Sequence, residues 1–139
     1  MVTRPVRHVS VNIEQPFATV AAFLGDPANY PSWATGLAGG LAPGGEDQGA
    51  EPGEWLADAP QGSAYVRFSP PNDFGIADHR VRFPDGSALH IPLRAIGNEE
   101  GTTVVLTLFR RAGVTDDEFE TDAGWVRRDL DALRSLLER

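Results

Sequence analysis

Apolar and polar residues alternate with period two along Arg7–Ile13, where Val9, Val11 and Ile13 interleave with His8, Ser10 and Asn12. Successive side chains of a strand point to opposite faces, so this pattern predicts a half-buried strand. The period changes at Glu14-Gln15-Pro16, after which Phe17, Val20, Ala21 and Leu24 recur at helical spacing. Pro16 suits a helix start, where its missing N–H costs nothing, and Gly25 supplies a stop. Asp26-Pro27 begins a second helical turn through Tyr30, closed by Pro31 and Trp33. The stretch Gly36–Gly53 holds seven glycines in eighteen residues. Leu37, Gly39 and Leu41 alternate weakly there, predicting a poor strand followed by a mobile loop at 43–53.

Stronger strand patterns follow at Glu54–Asp58, Ser63–Ser69, Phe74–Phe83, Ala88–Ile96 and Thr102–Arg111. Turn residues separate them: Pro70-Pro71-Asn72-Asp73, the hairpin signal Pro84-Asp85-Gly86, and Gly97–Gly101. A last helix is predicted over Thr115–Leu137. Thr115 with Glu118 forms a capping-box pattern, and acidic residues lead while arginines trail, which suits the helix dipole. Phe119, Ala123, Val126, Leu130, Leu133 and Leu137 share one face.

The order is β-α-α-β-β-β-β-β-β-α, an α+β class. Short turns make the strands an antiparallel meander, and only the C-terminal helix is long enough to cover one face. The expected form is a curved six- to seven-stranded antiparallel sheet wrapped around that helix, with two short helices after the first strand plugging one end.

Turn lengths set an expected register. The Pro84-Asp85-Gly86 loop pairs Val81 with Leu89 and His79 with Ile91, and the Pro70–Asp73 turn sets His79 opposite Ala64 or Val66. Ala77, His79, Val81 and Phe83 then share the apolar, inward face with Ala64, Val66, Phe68, Leu89, Ile91 and Leu93. Tyr65, Arg67, Asp78, Arg80, Arg82, His90 and Arg94 fall on the other face, expected to be solvated and laced with charge pairs such as Asp78 with Arg94. His79 is thus a titratable group on an apolar interior face. It is either a polar contact or general acid/base in a cavity, or a core histidine satisfied by backbone or water. A one-residue slip would bring Asp78 inside instead.

Composition narrows the chemistry. At 139 residues the chain is expected to be one domain, 1–139, with 41% hydrophobic residues. No stretch approaches a membrane helix, and no apolar signal core opens the chain, so a cytoplasmic protein without membrane insertion is expected. Cysteine is absent, which excludes disulfides, thiol catalysis and cysteine metal sites. All 12 basic residues are arginine, so Schiff-base enzymes and lysine-dependent P-loops are excluded. A net charge of −8 argues against a nucleic-acid partner. His8, His79 and His90 have no metal-ligand spacing, and His8 and His90 are expected to point outward, so no metal and no cofactor is expected. There is no G-x-S-x-G serine motif. No carboxylate pair is expected in a cavity, because the acidic residues fall in loops and on the helix surface. Trp125, next to Gly124, either walls a cavity or packs the helix on the sheet edge. Tyr30 and Trp33 either gate an entrance or close the core.

The element order is that of the helix-grip fold, and several segments resemble the START/Bet v 1-like superfamily, in its bacterial polyketide cyclase and Hsp90-ATPase-activator-like branch. They are Val11–Phe17 running into Phe23–Pro27 and Trp33, then Phe74–Val81, Ile91–Arg94, Val105–Arg110, and Gly124–Leu130 with Leu133 and Leu136–Glu138. None is a catalytic signature. The resemblance implies a cavity between sheet and helix that holds a lipid, polyketide or similar apolar molecule. With the inward face, it points to Val66, Phe68, Ala77, His79, Val81, Ile91 and Leu93 on the sheet as ligand-binding candidates. Phe119, Ala123 and Val126 are the candidates on the helix. Three functions follow in order: a carrier or sensor of a small hydrophobic ligand; a cyclase or dehydratase in which His79 moves protons; and an Hsp90-activator-like interaction protein. Either a monomer or a homodimer is expected.

Overall fold

The computed structural model describes residues 2–37, 39–59 and 62–139. The alternating N-terminal segment forms β1 (Val6–Ile13), with Val9, Val11 and Ile13 buried. Helix α1 (Phe17–Leu24) follows, starting after Pro16 and ending at Gly25. Short 3-10 turns at Pro27–Ser32 and Thr35–Leu37 come next, the first capped by the Asp26 side chain. The sheet continues with β2 (Leu41–Pro43), β3 (Trp55–Ala59), β4 (Gly62–Phe68), β5 (His79–Arg82) and β6 (Ala88–Ile91). It ends with β7 (Leu93–Asn98) and β8 (Gly101–Phe109), and the chain closes with α2 (Asp116–Leu137). The expected capping box forms at the start of α2, with Thr115 and Glu118 each bonding the other's backbone N–H.

Hydrogen bonding joins β2-β3-β4-β5-β6 into one antiparallel group and β7-β8-β1 into another. Only Pro92 separates β6 from β7, so the two groups are halves of one sheet bent at that residue. Proline lacks the N–H that a continuous ladder needs. The stretch expected as one strand over Ala88–Ile96 is therefore split. The predicted strand Phe74–Phe83 is shorter for the same reason. His79–Arg82 pairs with β6, whereas Gly75 and Ala77 bond across the bend to Ala95 and Leu93. Asp78 secures the corner: its Oδ1 accepts from the Leu93 N–H at 2.9 Å and from Arg94 Nε at 3.0 Å, and its Oδ2 accepts from Arg94 Nη2 at 2.7 Å. The predicted Asp78–Arg94 pair thus forms, partly as a backbone cap. Gly75 lies here at φ +76°, where a Cβ would stand 2.4 Å from the Ala95 carbonyl oxygen.

The hairpin register around Gly86 is the one read from the turn, with Val81 opposite Leu89 and His79 opposite Ile91. The β4–β5 register differs: His79 faces Phe68 and Val66 faces Val81. Residues 69–78 form a longer excursion than a four-residue turn, and this shifts the pairing. The offset is even, so each side chain stays on its expected face.

Helix α2 lies along β1 and β8 and buries Leu130 and Leu133 completely. Arg127 Nη1 donates to the Ser10 carbonyl at 2.6 Å, so the helix also occupies part of the free backbone edge of β1. Trp125 is not among the residues that line the cavity between sheet and α2. It is 49% exposed, with the Arg128 guanidinium 4.7 Å from its ring centre.

The outer face is less solvated than the charge pattern suggests, because the glycine-rich segment folds over it. Arg82 donates to Glu54 at 2.7 and 3.1 Å and to the Gly49 carbonyl at 3.1 Å. Its guanidinium also lies over the Tyr65 ring. Tyr65 and Arg67 bond the Gln48 and Pro52 carbonyls, and Ala50 is buried beneath. The mobile loop expected at 43–53 is thus a strap held by side chains from β4 and β5. It includes a 3-10 turn at Glu46–Gln48, ended by Gly49 at φ +83°.

Candidate functional site

A cavity of about 270 Å³ lies between the inner face of the sheet and the middle of α2. Ala57, Ala64 and Val66 form one wall and Val81, Phe83 and Ile91 another. Leu106 and Leu108 of β8 and Val126 of α2 close the back, and Tyr30, Trp33 and Leu37 close the end. The alternation that put small residues at positions 57 and 64, paired across β3 and β4, leaves the space that larger side chains would fill.

His79 stands on this wall, 8% exposed, as the apolar phase of its strand implies. Its ring packs against Tyr30 and Phe68, each with centroid 5.6 Å away. Nδ1 lies 3.2 Å from the Ala77 carbonyl of its own strand. A carbonyl oxygen only accepts, so Nδ1 carries the hydrogen and Nε2 keeps its lone pair. Burial holds the His79 pKa below the ordinary histidine value, so the ring is neutral at neutral pH. His8 and His90 lie on the outer face, His8 against the Thr107 hydroxyl and His90 against Phe109.

Of the other candidates, Val66, Val81, Ile91 and Val126 line this cavity. Phe68 and Ala77 line a separate, outward-opening depression of about 440 Å³ between α1 and residues 68–77. Leu93 is wholly covered, because the bend at Pro92 turns it into the packed core opposite Leu106. Phe119 and Ala123 sit too far toward the start of α2, since the cavity meets only the middle of that helix.

The sequence reading missed Asp129, the carboxylate at the cavity mouth. Its Oδ1 accepts from the Thr35 hydroxyl at 2.9 Å and from the Thr35 N–H at 3.3 Å, joining α2 to the segment after Trp33. Partial burial raises its pKa, against the lowering effect of the Thr35 bonds. The signal was present: Asp129 follows Val126 by three and precedes Leu133 by four, so it borders the apolar stripe. Tyr30 and Trp33 close the core, and their hydroxyl and indole N–H are buried without a partner among the described residues.

No protein-family model matches the chain, and no curated protein matches it. Solved structures do share its fold. A START superfamily protein from Mycobacterium smegmatis is 15% identical, with 96% of this chain and 97% of that one covered and a TM-score of 0.71. An uncharacterized protein from Bacillus thuringiensis is 15% identical, covering 96% and 98%, with a TM-score of 0.73. The Aha1 dimer from Colwellia psychrerythraea is 16% identical, covering 99% and 97%, with a TM-score of 0.65. The chain has the helix-grip fold of START and Bet v 1-like proteins. Among the described residues, no helix is long and apolar enough to cross a membrane.

Proposed function

We propose that this protein binds a small hydrophobic molecule in the cavity between sheet and α2, as a carrier or sensor. One observation carries the reading: a mostly apolar cavity of about 270 Å³ between the sheet and α2, bordered by small side chains at positions 57 and 64. Binding sites of this kind are mostly apolar with a few placed polar groups, here His79 and Asp129. The sheet residues Val66, Val81 and Ile91 and the helix residue Val126 would contact the ligand.

A second reading, a cyclase or dehydratase acting on a polyketide-like substrate, rests on those same two groups. Burial lowers the pKa of His79 and raises that of Asp129, which brings a base and an acid toward one range on one cavity.

Native mass spectrometry of freshly purified protein, with Nile red titration, tests the binding reading. Retained apolar mass and saturable Nile red fluorescence are expected. Ala64→Phe, which fills the cavity from β4, should abolish both. No retained mass, together with Nile red binding unchanged in Ala64→Phe, would overturn the reading.

A further inference from the structure

Among the described residues, four polar side chains line the cavity, and the two whose polar atoms are not buried under protein, His79 and Asp129, offer hydrogen-bond acceptors. The Nδ1–H of His79 is taken by the Ala77 carbonyl, and Nε2 has no hydrogen-bond partner among the described residues. A strand side chain stands roughly perpendicular to its sheet, so the distal edge of this ring, with Nε2, points off β5 into the interior. Asp129 is a carboxylate, and Thr35 supplies donors to only one of its oxygens. No arginine lines the cavity among the described residues. The two unpartnered donors nearby do not alter this balance. The Tyr30 hydroxyl and Trp33 N–H are covered by protein atoms, so a molecule in the cavity does not touch them.

An anionic head would therefore meet a lone pair and a carboxylate, with no cation to offset its lost hydration. A neutral donor meets an acceptor that no protein donor among the described residues occupies. We propose that the molecule held here is a neutral, hydroxyl-bearing apolar compound, a phenol or alcohol and not a fatty acid or other carboxylate, whose O–H donates to His79 Nε2. This rests on the cavity being a binding site, and adds the rule by which it selects.

The test uses three probes of one shape in calorimetric or NMR titrations of the full chain: 2-naphthol, 2-fluoronaphthalene and 2-naphthoate. The alcohol should bind about tenfold more tightly than the fluoro compound, the usual effect of one added hydrogen bond, and the carboxylate should be the weakest. In His79→Leu the preference for 2-naphthol over 2-fluoronaphthalene should vanish, and an unchanged circular dichroism spectrum of the variant reports that the fold is intact. A readout free of mutation is the nitrogen-15 resonance of His79 Nε2 in the native chain. It should move on adding 2-naphthol and stay on adding 2-fluoronaphthalene. Equal binding of alcohol and fluoro compound, or preference for the carboxylate, would overturn the donor rule while leaving the cavity as a binding site. If none of the three binds, the binding reading itself falls, and the donor rule with it.

Discussion

Leu130 sits at the middle of α2, fully covered, within the cluster formed by Leu133, Leu24, Val104 and Val11. Leu130→Ala removes its branched end from a site that cannot close over the gap, because a 22-residue helix and the β1–β8 pair hold their spacing. Such deletions cost about 2–5 kcal/mol, and a stiff surround places this one near 3 kcal/mol. At about 2.1 cal/mol/K per residue, a chain of 139 residues unfolds with an entropy near 0.3 kcal/mol/K, so Tm should fall by about 10 °C. The neighbouring Asp131 is exposed, and Asp131→Ala should change stability by no more than about 0.5 kcal/mol, under about 2 °C. Differential scanning calorimetry, with urea unfolding to check that the m-value is unchanged, measures both. Equal shifts for the two variants would show that α2 does not cover the sheet with the face assigned to it.

Two further outcomes are expected. Arg82→Met removes the bonds to Glu54 and Gly49, so amide exchange in residues 46–54 should accelerate by about tenfold or more, while Val104 and Leu106 keep their protection; unchanged exchange in the strap would show that Arg82 does not hold it. Acid should destabilise the protein in two stages. His79 has a folded pKa below its usual 6.5, so the unfolded chain binds more protons, and stability is lost as pH falls below about 6.5. Glu54 and Asp78 are held below 4.5 and 3.8, chiefly by the hydrogen bonds of Arg82 and Arg94, so their contribution is present above those values and lost beneath them. Urea midpoints across pH 7 to 3 measure both stages, and His79→Leu should flatten the upper one only; a His79→Leu profile parallel to wild type would contradict the buried neutral ring.

Much of the architecture was legible because it depends on local periods and tight turns. Period-two alternation set which face of each strand turns inward, helical spacing set the buried stripe of α2, and the Pro84-Asp85-Gly86 turn set the β5–β6 register. His79 reached the interior on that phase alone. The β4–β5 register was not legible, because the connection over 69–78 carries pairings of its own rather than a tight turn. The split at Pro92 was visible as a proline within a strand pattern, but the capping of Leu93 by Asp78 needed the strands assembled. The same holds for the strap over the outer face, whose latch joins Gly49 and Glu54 to Arg82, some thirty residues on. Asp129 carried a helical-phase signal, yet its place at a cavity mouth depends on Thr35, 94 residues away. Sequence pattern decides what a residue shares a face with, since that follows from backbone geometry over a few residues. Only the tertiary structure decides where the packed faces leave space, and so which of the inward residues border the cavity and which, like Leu93, are closed into the core.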